Sequence, residues 1–229
     1  MRPFLVGPML LGLALVFGGC IGSIQTTAIE AAGSGGLKPT QEDKDAGLVG
    51  IDREFKLKDF QIVVVKQFKV TEPELNDEED KKLAAEMPSY LQAELVRRLR
   101  ESGLFARVIN ASETDYSPGG DKALVLDGEI TRLAPGSRAL RYIVGFGAGR
   151  SKAQSEMRFV DAQTSKVLMV TADRSVAAYG IFGGDSRDHL RESFDDMARN
   201  LAKFLVRLSK DEAPPKDVPA PAPSSPTRR

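Results

Sequence analysis

The apolar residues of this chain change their spacing along residues 51–209, from two to three-or-four and back again, and that succession of periods constrains the fold more than any single motif. Residues 60–70, FQIVVVKQFKV, read as a strand whose β-branched content predicts burial on both faces. Leu83, Met87, Leu91, Leu95 and Leu99 then recur every four residues, which predicts a helix. Pro88 is expected to start or kink it, and Gly103 to follow its end after Arg97, Arg98 and Arg100. Residues 104–109 and 123–133 read as strands. Residues 151–161 alternate and should form a hairpin with 166–178 through a turn at 162–165. Residues 186–208 carry the apolar stripe Leu190, Phe194, Met197, Leu201, Phe204 and Leu208 of a second helix. The order β-α-β-β-β-β-α predicts an α+β domain: a mainly antiparallel sheet with two helices packed on one face.

The flanks carry no such pattern. Met1 and Arg2 give a short positive start, and residues 4–17 are an uncharged apolar run. That run is too short for a membrane span, which takes about 20 residues, and fits the roughly 7–15 residues of a secretory core segment. Gly18, Gly19 and Cys20 follow. Residues 20–50 include Gly33, Ser34, Gly35, Gly36 and Pro39, and are expected to be a flexible tether after the cysteine. Residues 210–229 hold six prolines and only Val218 as a large apolar residue, which predicts a disordered tail. The expected organisation is therefore a signal peptide over 1–19, Cys20 and tether to 50, one domain over 51–209, and a tail.

Charge and composition narrow the function. Lys and Arg number 32 and Asp and Glu 32, so a net charge of zero argues against a nucleic-acid partner, which calls for a basic field. One His and one Cys provide neither a Cys/His zinc site nor a disulfide within the chain. No cofactor or metal is expected.

The Phe17-Gly18-Gly19-Cys20 end resembles the lipobox of bacterial lipoproteins, with Phe17 where Leu is usual. The resemblance implies cleavage before Cys20 and acyl chains, palmitate among them, on that residue. It makes the membrane a partner through a lipid anchor. Ile21, where Asp would mark inner-membrane retention, implies the periplasmic face of the outer membrane. The alternative is an ordinary signal peptide with Cys20 incidental.

Further along, QIVVVKQF, LVRRLRESGLFARV, LVLDGEITRL and SRALRYIVGFGAGRSKAQSEMRFVDAQTSKVL together resemble the lipoproteins grouped as domain of unknown function DUF4410, over about residues 58–206. The most specific part is Arg141 to Gly149 followed by a strand ending in Asp161-Ala-Gln-Thr164. Ser165 stands where members commonly have Gly. The family has no assigned activity, so the resemblance implies no reaction. The architecture is also similar to that of small envelope lipoproteins such as the curli secretion lipoprotein, an analogy of fold only.

Three constellations invite a functional reading. Gly145, Gly147 and Gly149 have G-x-G-x-G spacing with no helix pattern after them, which favours a bend leading into a strand over a phosphate loop. Among them, Tyr142, Ile143 and Phe146 lie between Arg141 and Arg150, an apolar centre with a cationic rim suited to a protein partner or to lipid headgroups. Residues 131–158 are net +5 and residues 72–80 net −6, so self-association through opposite charge is a further possibility. Asp127 and Glu129 point to one face of their strand. Pairing with Arg132 or a neighbouring strand explains them better than acid–base catalysis, because no nucleophile or metal partner stands nearby. His189 is expected to be an exposed surface residue. The sequence therefore reads as a non-enzymatic envelope interaction module, with Arg141, Tyr142, Ile143, Phe146 and Arg150 as its contact residues. The alternative is a lipid or small-molecule carrier with a pocket between sheet and helices. A carboxylate hydrolase ranks last.

Overall fold

The computed structural model describes residues 35–71, 78–117, 119–134, 152–176 and 186–214. The chain is α+β. Its strands are β1 (Gln41–Asp43), β2 (Gly47–Ile51), β3 (Ile62–Val65), β4 (Lys69–Val70), β5 (Arg107–Asn110), β6 (Ala123–Ala134), β7 (Lys152–Asp161) and β8 (Val167–Val176). Its helices are α1 (Glu78–Ser102) and α2 (Ser186–Ser209). They form one sheet in the order β1-β2-β8-β7-β6-β3-β5, with β4 also on β6.

The sheet is mixed. β1–β2, β2–β8, β6–β7 and β7–β8 are antiparallel, as expected, but β3 runs parallel to both β5 and β6. Two crossovers are the reason: α1 returns the chain from the end of β3 to the start of β5, and the connection after β5 returns it to the start of β6. β3 is thus an inner strand, and Ile62 and Val64 bury on one face while Val63 and Val65 bury on the other. The strand expected over 60–70 is divided, since residues 66–68 separate β3 from β4. Phe68 is buried there beside Gly128 of β6, where a Cβ would lie 2.8 Å from the Phe68 ring and 2.2 Å from the Glu156 carbonyl oxygen.

Both helices cover one face. Met87, Leu91 and Leu95 of α1 and Leu190, Phe194 and Phe204 of α2 are fully buried against Leu124, Leu126, Phe159 and Met169 of the sheet. Each such side chain contributes about 1.5–3 kcal/mol by leaving water. α1 begins well before Pro88 and continues through it. Glu78, Glu79 and Asp80 in its first turn suit the positive end of the helix, and Leu83 and Ala84 bury ahead of the proline. Gly103 takes φ +65° at its C-terminus, and its N–H donates to the Arg100 carbonyl. The β7–β8 hairpin forms as expected. The Asp161 carboxylate accepts the Gln163 and Thr164 N–H groups, and Ser165 takes φ +59°, the conformation that glycine adopts without strain.

Two expected boundaries move. Residues 41–50, assigned to a tether, form the β1–β2 hairpin with Ile51 on the β8 edge of the sheet. Their glycines serve close approach and not flexibility. Gly47 has φ +69°, and a Cβ there would lie 2.3 Å from the Ala172 carbonyl oxygen. At Gly50 a Cβ would lie 2.5 Å from the Lys38 carbonyl oxygen. At the other end, residues 210–213 continue the domain. The Glu212 N–H donates to the Arg207 carbonyl and the Asp211 N–H to the Leu208 carbonyl, with Asp211 at φ +60°. This is a Schellman cap, and it sets Ala213 into the core.

Candidate interaction surface

Strand direction gives the domain two distinct ends. β6 ends at Ala134, which pairs with Lys152 at the start of β7, and Lys152 pairs with Val176 at the end of β8. β4 runs parallel to β6, and the Thr71 N–H donates to the Ile130 carbonyl at the same end. The connections 72–77, 135–151 and 177–185 therefore all leave the sheet at one end, here called the far end. α1 and α2 start there and run side by side in the same direction. Arg191 reaches Glu86 at 3.7 Å and lies 5.6 Å over the Tyr90 ring, and Arg98 bonds Asp195 at 2.6 Å. The opposite, near end carries the β7–β8 turn, the short turn at Leu57–Asp59, and residues 119–122.

Cys20, Arg141, Tyr142, Ile143, Phe146 and Arg150 lie outside the described residues. The pairing of Ala134 with Lys152 nevertheless makes 135–151 a single connection between two long antiparallel strands. β7 starts three residues after Gly149, where a phosphate loop would open a helix. The same topology sets the first turn of α1, with Glu78, Glu79 and Asp80, at the end where β6 stops and β7 starts.

The strand carboxylates are engaged across the sheet. Asp127 stands in register with Arg158, which grips it with Nε on Oδ1 and Nη2 on Oδ2 at 3.2 Å. The hydrogen bond that Arg158 donates to the Asp127 carboxylate holds the Arg158 pKa above its ordinary value. Glu129 faces Glu156 two register positions on. Pairing with a neighbouring strand was one of the two partners expected for Asp127. His189, expected to be exposed, has a side chain only 16% exposed in the first turn of α2, with Nδ1 3.9 Å from the Glu192 carboxylate. Among the described residues no group of three or more His, Cys, Asp or Glu side chains is placed to hold a metal ion. No helix among them is long and apolar enough to cross a membrane.

Two polar clusters were missed in the sequence. Between the helices, Asp195 receives Arg97 at 3.1 Å and Arg98 at 2.6 Å, and Arg199 reaches it from one turn on. Burial pushes the Asp195 carboxyl up, but the hydrogen bond and charge of Arg98 outweigh that and leave it below the usual range. The second cluster ties the N-terminal hairpin to the end of α2. Asp43, whose side chain is fully buried, accepts the Arg207 guanidinium at 2.5 Å and the Asp45 N–H at 2.9 Å, and Asp45 meets Arg207 at 2.7 Å. The pairs that join separate elements carry no sequence signal, because their members lie about a hundred residues or more apart.

Solved structures similar in shape share little sequence. The PelC dodecamer protein from Paraburkholderia phytofirmans is 13% identical, over 67% of this chain and 98% of its own, with a TM-score of 0.42. Protein XCC0632 from Xanthomonas campestris, of family DUF330, is 10% identical over 71% of this chain and 92% of its own, with a TM-score of 0.42. A proposed lipoprotein from Caulobacter crescentus is 15% identical over 69% of this chain and 96% of its own, with a TM-score of 0.33. No curated protein matches the sequence. Residues 63–180, just over half of the chain, match the model of the domain of unknown function DUF4410, and the chain belongs to that family.

Proposed function

We propose that this protein is a non-catalytic interaction module of the cell envelope, held at the periplasmic face of the outer membrane by acyl chains on Cys20 and contacting a protein partner through residues 141–150. The observation that carries the contact site is the Ala134–Lys152 pairing. It supports the reading because the strands that flank Arg141, Tyr142, Ile143, Phe146 and Arg150 in sequence, β6 and β7, end and begin at the far end, where α1 also starts. Large apolar residues flanked by guanidinium groups suit an interface core with a charged rim. Against catalysis stands the engagement of Asp127 by Arg158. Against a ligand pocket stands the packing between sheet and helices, where Phe159, Phe194 and Phe204 are fully buried and fill that space.

The anchor and the contact are tested separately. Cys20→Ser should leave an uncleaved precursor without acyl label, and normal processing of that variant refutes the anchor. Phe146→Ser should weaken crosslinking to the partner by about 1–3 kcal/mol while the denaturant melt of the soluble domain barely moves. A large loss of stability with the partner retained makes Phe146 a core residue and removes the contact site.

A further inference from the structure

We infer that the anchored domain stands with its near end, the β7–β8 turn, toward the membrane that holds it, and with its far end pointing away. This rests on Cys20 being the anchor. The structural ground is the place where the chain joins the sheet. At Gly35 a Cβ would lie 2.9 Å from Cβ of Val167, the first residue of β8, so the backbone there is pressed against the near end. Three residues on, the Lys38 carbonyl sits over Gly50, and β1 follows at once, so the entry point cannot move without undoing the edge of the sheet.

Lengths then decide the orientation. β8 from Val167 to Val176 covers about 30 Å at roughly 3.3 Å per residue. The segment between Cys20 and Gly35 has 14 residues. Such a length reaches about 50 Å when fully extended and roughly 25 Å on average as an unfolded chain. Contact between the near end and the bilayer needs no extension at all. Contact between the far end and the bilayer needs that segment to run the whole length of the domain, beyond its average span. At the near end Lys166 is paired with Asp52 at 2.9 Å, so that end lies close to the headgroups without being drawn into them.

The consequence concerns the partner. A contact site at the far end faces away from the anchoring bilayer, so it meets a protein and not the headgroups beneath it.

The test uses the full acylated chain, whose own cysteine is blocked by the acyl group. Lys122→Cys at the near end and Lys81→Cys in the first turn of α1 are both exposed positions for a fluorophore. Each labelled protein is reconstituted into phosphatidylethanolamine–phosphatidylglycerol vesicles with a quencher on the lipid headgroup. Quenching should be several-fold stronger at position 122 than at 81. Insertion of about twenty Gly/Ser residues after Ser34 should erase the difference, since the coil then exceeds the length of the domain. Equal quenching with the native segment, or stronger quenching at 81, overturns the orientation. Flotation with the vesicles is read independently. A chain that does not float refutes the anchor and the orientation with it, whereas a floating chain with the wrong quenching order refutes the orientation alone.

Discussion

β3 carries Ile62, Val63, Val64 and Val65, each at most 3% exposed, and has a neighbour on both sides. The β1–β2 hairpin carries Gln-Glu-Asp and Gly-Leu-Val-Gly-Ile, and joins the sheet only through β8. One is held by burial of side chains on two faces. The other is held by backbone pairing, by two glycines that permit close approach, and by the Asp43–Arg207–Asp45 cluster. Burial is spread over many contacts, so a single change weakens β3 without removing its cause. The hairpin depends on a few specific groups, so a single change can detach it and leave the rest standing.

The largest effect should come from Arg207→Leu. It leaves the fully buried Asp43 carboxylate without its cation, and breaking a buried pair in this way costs about 3–5 kcal/mol. The loss is limited by the docking energy of the hairpin, which will come away first. Hydrogen exchange should show residues 47–51 losing protection while 62–65 keep theirs. Equal loss at both refutes the separation between edge and centre. Acid should do the same to the native chain. Burial pushes the Asp43 carboxyl up, but the hydrogen bonds from Arg207 and from the Asp45 and Ala46 N–H groups outweigh it and leave its pKa lowered. A lowered folded pKa gives stability that is present at neutral pH and lost as pH falls below the ordinary carboxylate range, about 4. Protection of the hairpin should therefore fall with acid before that of β3.

Gly47→Ala should have a smaller effect in the same place. The methyl group meets the Ala172 carbonyl, and φ +69° is strained for alanine, together about 1–3 kcal/mol. Unchanged exchange at residues 48–51 in this variant means that the backbone shifts freely there and that the glycine is not needed for close approach.

The same contrast explains what the sequence disclosed. β3, both helices and the β7–β8 hairpin were legible because their apolar residues repeat at two or at three-to-four, and burial follows directly from that spacing. The β1–β2 hairpin was not, because Gly33 to Gly36 suggested a tether and the glycine code does not distinguish freedom from crowding. Val49 is fully buried, yet the two apolar residues between Gly47 and Gly50 carry no period. The parallel pairing of β3 with β6 was hidden as well, since it depends on the connection after β5 crossing back to the start of β6. Of the candidate site, its residues were legible as a cluster in sequence. That the flanking strands β6 and β7 meet at the end where α1 starts was not, because that follows from strand direction alone.

The smallest effect concerns the other boundary that moved. Residues 210–213 looked like the start of a proline-rich tail, and the structure makes them the cap of α2. Asp211 sits at φ +60°, where a β-carbon is strained and glycine is not. Asp211→Gly should therefore stabilise the domain, by about 0.4–1 kcal/mol less the entropy that glycine adds to the unfolded chain. Asp211→Val should destabilise it, since a β-branched side chain tolerates that conformation least. Neither change touches the core, so a shift of the melting midpoint in opposite directions for the two variants reports the cap itself. Removal of residues 210–229 should cost more than either, because it also takes away the Glu212 N–H on the Arg207 carbonyl and the buried Ala213. If both variants and the truncation leave the midpoint unmoved, the Schellman cap contributes nothing and the domain ends at Ser209.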